Sequence, residues 1–378
     1  MAKAPIEDLP EPDRVEGAPH PRETLQVLGH AAAEAEFLAS FNSGRLHHGW
    51  LITGPRGVGK ATLAWKIARF LLATPDDDGG MFAPPPPTSL DISPDHPIIR
   101  RTMALSETRL FLLRRGVNTS GSGLSADIRV DEVRAMKSAF TLSSADGGRR
   151  VAIIDCADEM SVGATNALLK LLEEPPAGVT LLLISHQPFR LLPTIRSRCR
   201  ELRVGTLPPD LMAKALAAAG AEVTLPEVQA LAELAGGSVG EAIRFINLDG
   251  IKLYQAIIAL FATLPRLDRP RALALAELGV GKANEPRFDL ILTLIDLFLA
   301  RIARAGTHGY CPPEACAGEA ELIARLGPTP AAAGKWADLA QTLGLRARRG
   351  KAVNLDPAAL LLDMVLKIDE TAGMLAQR

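Results

Sequence analysis

Short apolar runs alternate with helix-spaced apolar residues over the first half of the chain. Leu28, Ala32, Ala35, Phe37 and Leu38 lie on one rough helical face, so residues 23–41 are predicted to be a helix. Trp50 to Thr53 is a short apolar run that predicts a buried strand, and Thr62 to Ala73 returns to helical spacing. Leu110 to Arg114 and Ile128 to Val130 predict two more short strands, and Asp131 is placed to cap a helix running to about Leu142. Val151 to Asp155 predicts another buried strand. Ser161 then caps a helix whose apolar face is Ala164, Ala167, Leu168, Leu171 and Leu172, and Pro175 and Pro176 stop it. Val179 to Ser185 predicts a further strand, followed by a short helix. This alternation implies an α/β fold, a parallel sheet with helices on both faces, over residues 23–205.

Strand signals nearly vanish after Pro208 and Pro209. Residues 206–248 read as a small helical lid, and 249–378 as an all-α domain. Two segments break the pattern. Residues 1–22 are acidic and Pro-rich, which predicts a flexible arm without the apolar core of a secretion signal. Residues 74–126 contain DDDGG, PPPP and GVNTSGSG, which predict a loosely packed insertion.

Composition changes this picture little. The chain has 378 residues, enough for two or three domains, and a formal net charge of -1. That balance argues against coating nucleic acid by bulk charge. Lys137, Arg149 and Arg150 could meet DNA locally, with a solvated basic face as the plainer reading. Cys156, Cys199, Cys311 and Cys316 form no CxxC pair, so neither a disulfide framework nor zinc is expected. The most apolar helical stretch, Leu290 to Ala303, is too short and too broken by Asp296 to cross a bilayer. The expected place is the cytoplasm, with no membrane partner.

Candidate chemistry begins at Gly54-Pro55-Arg56-Gly57-Val58-Gly59-Lys60, which fits GxxxxGK between a predicted strand and a predicted helix. In that setting backbone N–H groups and the helix N-terminus bind phosphate, and Lys60 reaches the outer phosphates. Gly54, Gly57, Gly59, Lys60 and Thr62 are the candidate nucleotide-binding residues, with Asp155 at the end of a neighbouring strand. The residue after Lys60 is Ala61, where Mg²⁺ needs a hydroxyl, and Thr62 is about 100° further round the helix. Cys156 follows Asp155 where a carboxylate would orient water. Asp158 and Glu159 read as solvated loop residues. Weak binding of ATP or ADP is expected, with poor Mg²⁺ placement and no dedicated metal site.

GRLHHGWLITGPRGVGK, VAIID, TNALLKLLEEPP and SRC, in this order, resemble the clamp-loader family of bacterial DNA polymerase III over residues 23–205. The resemblance implies an AAA+ P-loop module followed by a helical lid and an all-α collar that assembles a ring. Within the family, Ala61, Cys156 and Gly240 stand where the motor (tau/gamma) subunit has a hydroxyl, a glutamate and a lid arginine. These departures resemble the delta-prime type of subunit, with a motor-type ATPase as the alternative. A generic P-loop module outside replication accounts for Lys60 but not for LEEPP and SRC. The resemblance makes Arg198 an arginine finger acting on a neighbour's ATP. Its plainer reading is a surface arginine among Arg196, Arg200 and Arg203. The implied partners are tau/gamma-like motor subunits and a delta-like opener in a hetero-pentamer, with the sliding clamp and primed DNA met in the assembly. No independent catalysis is expected: paired polymerase aspartates are absent, so nucleotidyl transfer belongs to the holoenzyme.

Overall fold

A computed structural model describes residues 11–75, 85–118, 123–142 and 148–377. They form two compact units, Met1–Gly220 with Ser238–Gly240, and Ala221–Gly237 with Glu241–Arg378. The segment expected as one lid, 206–248, is therefore shared between the units.

The first unit is built on five parallel strands: β1 (Gly49–Thr53), β2 (Leu110–Leu113), β3 (Arg150–Ile154), β4 (Val179–Ser185) and β5 (Arg200–Arg203). Their order is β2-β3-β4-β1-β5. The helices are α1 (Ala31–Asn42), α2 (Lys60–Ala73), α3 (Pro97–Met103), α4 (Val130–Leu142), α5 (Val162–Glu173), α6 (Pro193–Ser197) and α7 (Pro209–Ala218).

Successive strand side chains point to opposite faces, so a sheet covered on both sides needs apolar residues at every position. Trp50, Ile52, Val151, Ile153, Leu182 and Ile184 join α1 and α2 in one core. Leu51, Ala152, Ile154, Leu181 and Leu183 join α4 and α5 in the other. The uninterrupted apolar runs read from the sequence have this origin.

Several expected boundaries move. Residues 23–30 are not helical and α1 starts at Ala31, because Gly29 takes φ +79° and His30 Nε2 lies 2.7 Å from the Val58 carbonyl oxygen. The expected strand at Ile128–Val130 is a single bridge, Ile128 to Met160. Since α4 starts at Val130, Asp131 lies in its first turn and is not its cap. Ser161 does cap α5, accepting from the Ala164 N–H.

The stretch 74–126 is not loosely packed over its described part. Residues 76–84 and 119–122 lie outside the described residues, and the remainder supplies the edge strand β2 and the helix α3. Leu90, Ile98, Ile99 and Thr102 are buried there. His96 caps α3 through its Nδ1, and Pro97 occupies the first helical position, where its missing N–H costs nothing.

The arm expected to be loose is, from Glu11 onward, tied down. Arg22 pairs with Glu11 at 2.6 Å, and Arg69 on α2 donates to the carbonyls of Arg22 and Thr24 at 2.9 Å. His20 is fully buried against Trp65. The polar composition that suggested disorder is spent on ion pairs with the domain.

Among its described residues the second unit has helices but no strand: α8 (Leu225–Leu234), α9 (Val239–Asn247, from Glu241), α10 (Gly250–Phe261), α11 (Arg269–Glu277), α12 (Glu285–His308), α13 (Glu319–Leu326), α14 (Pro330–Ala352) and α15 (Pro357–Ala376). The apolar stripe of α12, Ile291, Leu294, Ile295, Phe298 and Ile302, recurs every three or four residues and is buried. No described helix is long and apolar enough to cross a membrane.

Inside this helical core lies one charged network. Arg301 Nε and the Tyr254 hydroxyl both donate to Glu319 Oε1 at 2.6 Å, and the Ala315 N–H donates to Oε2 at 2.7 Å. Burial and the facing carboxylate push the Tyr254 phenol up, so it stays a donor. Removing one partner of such a pair strands a buried charge. Glu319→Ala is expected to destabilise this unit by about 3–5 kcal/mol, measured as a lower urea midpoint. A loss below about 1 kcal/mol, the size of an exposed ion pair, would mean that water reaches Arg301.

Candidate functional site

The site begins where β1 ends. After Thr53 the chain turns through Gly54 at φ +148°, and a Cβ there would overlap the Val204 carbonyl oxygen just beyond β5. Only glycine fits. The loop delivers Lys60 to the first turn of α2, where it is 5% exposed. Lys60 Nζ donates to the carbonyls of Gly54 at 2.8 Å and Pro55 at 2.5 Å. Burial lowers its pKa to about 8, against the opposing pull of Cys156, Asp155 and Asp158. The expected phosphate residues Gly54, Gly57, Gly59 and Lys60 are thus together in one turn. Thr62 sits two residues into α2, partly exposed.

Asp155 stands at the end of β3, its N–H bonded to the Leu113 carbonyl at 2.8 Å. Burial, with Asp13 adding like charge, raises its pKa to about 6 despite Lys60 and the Cys156 backbone. Cys156 takes φ +57°, and its Sγ lies 3.8 Å from Asp155 Oδ1 and 4.0 Å from His186 Nδ1. Burial and the carboxylates push the thiol up, so it is no nucleophile.

Asp158 corrects the sequence reading. It is buried, not solvated: Oδ2 lies 3.3 Å from His186 Nε2, and Oδ1 accepts the His186 N–H at 3.3 Å. His186, just past β4, carried no sequence signal. A Mg²⁺ ion does not fit these residues well, since Ala61 and Cys156 offer no oxygen and Asp158 is engaged. Among the described residues no group of three or more His, Cys, Asp or Glu is arranged to hold a metal.

The start of the lid region closes on the loop. Ser238 Oγ donates to the Arg56 carbonyl at 2.8 Å, and the Gly240 N–H donates to the Gly57 carbonyl at 2.9 Å. A Cβ on Gly240 would come within 2.9 Å of Gly57 Cα. An arginine at 240 is incompatible with this approach.

Arg198 is elsewhere. It follows α6 and precedes β5, which pairs parallel to β1 with Trp50 opposite Arg200. A Cβ on Gly49 would lie 3.2 Å from the Arg198 carbonyl oxygen, so Arg198 is level with the start of β1. Gly54 is five residues further along, about 17 Å at 3.3 Å per residue. Arg198 is therefore at the opposite end of the strands from its own phosphate loop. Its guanidinium is partly exposed, donating to the Thr194 carbonyl at 3.1 Å and pairing with Glu173 at 3.0 Å.

Residues 29–208 match a family model described as "DNA polymerase III, delta subunit". The delta-prime subunit of DNA polymerase III from Pseudomonas aeruginosa is 38% identical over 152 residues, 40% of this chain and 41% of that one. The delta-prime subunit from Escherichia coli is 31% identical over 216 residues, 57% and 59% of the two chains. The gamma/tau subunit from Mycobacterium bovis is 27% identical over 197 residues, 52% of this chain and 31% of that one.

Residues 29–208 are thus similar to subunits of the DNA polymerase III clamp loader.

The match to the family model covers residues 29–208, and the chain spans about two-fifths to three-fifths of the length of the two delta-prime relatives. Within residues 29–208 the phosphate loop keeps its shape but is crowded by charge. For Asp155 the folded pKa lies above its usual 3.8, so the ionised carboxylate costs stability above about pH 6. That cost fades as pH falls through 6 and is gone below 3.8. The difference corresponds to about 3 kcal/mol. Asp155→Asn is therefore expected to raise the melting temperature at pH 8 and to change it much less at pH 4.5. An equal effect at both pH values would show that Asp155 is ionised in the fold at no cost.

Proposed function

We propose that this chain is a delta-prime-type subunit of the DNA polymerase III clamp loader, which helps load the sliding clamp on primed DNA and supplies Arg198 to ATP held by a neighbouring motor subunit. The observation that carries this reading is the separation of Arg198 from its own phosphate loop by the length of a strand, in a chain whose own site lacks the Mg²⁺ hydroxyl and the water-orienting carboxylate. An arginine so placed serves no nucleotide of its own chain.

A guanidinium has a planar fork of donors suited to the oxygens of a transferring phosphoryl group. Its contribution in such enzymes is about 10³- to 10⁵-fold, or about 4–7 kcal/mol of barrier. To act, Arg198 must leave Glu173, and an ion pair this exposed contributes about 0–1 kcal/mol. The finger is cheap to release compared with what it gains. This proposal includes assembly with tau/gamma-like subunits and a delta-like opener in a hetero-pentamer, a cytoplasmic setting, and weak ATP or ADP binding by the chain itself without turnover.

Reconstitution with motor and opener subunits, clamp and primed DNA tests it. Arg198→Ala is expected to leave assembly intact, and to lower steady-state ATPase and clamp loading several-fold. The loss stays below the full finger effect because other subunits keep their own arginines. Arg198→Lys should restore little, since an ammonium lacks the fork. Unchanged ATPase and loading would return Arg198 to the status of a surface arginine. Turnover near 1 s⁻¹ by the isolated chain, abolished by Lys60→Ala, would instead favour a motor-type ATPase.

A further inference from the structure

Nucleotides bind open parallel sheets beyond the carboxyl ends of the strands. In this chain that edge is already covered by its own residues. The segment from Glu11 to Thr24 runs beside α2 toward the phosphate loop: Arg69 holds the carbonyls of Arg22 and Thr24, and His20 packs edge-on against Trp65, one helical turn nearer Lys60. Val15 then reaches Gly240, since a Cβ on Gly240 would lie 3.6 Å from Val15 Cγ2 and 2.9 Å from Gly57 Cα. Asp13, whose side chain is 1% exposed, pairs with Arg114 and lies 3.2 Å from His20 Nε2. Arg114 directly follows β2, whose Leu113 is in register with Ile154 of β3. Asp13 is therefore at the level of Asp155, and the two carboxylates repel.

We propose that residues 11–24 are a strap over the mouth of this chain's own phosphate loop, and that a nucleoside di- or triphosphate must displace it to bind. Three features support this. The strap brings a buried carboxylate to an edge whose loop is shaped for anions. Lys60, the group that would meet phosphate, is turned onto the carbonyls of Gly54 and Pro55. The strap is also detachable. None of the buried residues of the adjoining core comes from 11–24, and ion pairs and hydrogen bonds tie the strap to Arg69 and Arg114. The apparent affinity is then the affinity of the open loop reduced by the fraction of molecules with the strap off. The inference deepens the weak-binding part of the proposed function and is independent of Arg198.

The test uses the isolated full-length chain and ADP with Mg²⁺. Glu11→Gln combined with Asp13→Asn neutralises the two strap carboxylates that pair with Arg114 and keeps their shape. Calorimetry should give a Kd about tenfold lower than wild type, with binding lost when Lys60→Ala is added. In the wild-type chain, saturating ADP should speed amide hydrogen exchange within 11–24. Equal or weaker binding by the double variant, or no measurable binding by either protein, overturns the proposal. Should the double variant fail to fold, the wild-type exchange experiment decides, and unchanged exchange within 11–24 at saturating ADP overturns it. Failure of the Arg198 experiment would leave this result untouched.

Discussion

The parallel pairing of β5 with β1 is the constraint on which the molecule's chemistry depends. A parallel pair holds both strands in the same sense, so a residue leading into one strand cannot meet a residue leaving the other. Arg198 leads into β5, and the phosphate loop leaves β1. The pairing is held by backbone hydrogen bonds and by Leu202, which enters the same core as Trp50 and Ile52. Geometry thus keeps Arg198 apart from the loop of its own chain. This chain presents Arg198 at one end of the strands and its loop at the other.

The interior of the loop region is dense with charge for a site without its full set of ligands. Lys60, Asp155, Asp158 and His186 gather within a few residues of the strand ends, and burial works against the charged form of Lys60, Asp155 and His186. The cost is contained by local partners: loop carbonyls for Lys60, His186 for Asp158, Arg114 for Asp13. Replacing the expected glutamate by Cys156 removes one further negative charge from this group. At Gly240, where the resemblance implies a lid arginine, the backbone N–H instead donates to the Gly57 carbonyl. These departures leave the loop intact as a shape while removing the parts that handle metal and water.

Much of the first unit was legible in the sequence. Strands buried on both faces leave continuous apolar runs, and the loop's glycines and Lys60 have a fixed spacing. Other parts were hidden for physical reasons. The helix α3 is seven residues long and sits in a Pro-rich stretch, so its two buried isoleucines had no period to reveal them. Asp158 looked solvated because nothing along the chain shows that His186, 28 residues later, turns back toward it. The segment from Glu11 looked loose because its order comes from charges on Arg69 and Arg114, far away in sequence. Position 198 was readable as chemistry only through resemblance. The register of β5 was needed to show which nucleotide it could not reach.

The first glycine of the phosphate loop has a meaning beyond the loop. Gly54 presses against the backbone of Val204, at the far end of the strand that begins beside Arg198. A side chain there would lever β5 away from β1, and the strand would carry its arginine with it. A defect from changing Gly54 would therefore be misread as lost nucleotide affinity, when the damage lies at the opposite end of the sheet. In this molecule the loop is also a spacer that sets where Arg198 stands.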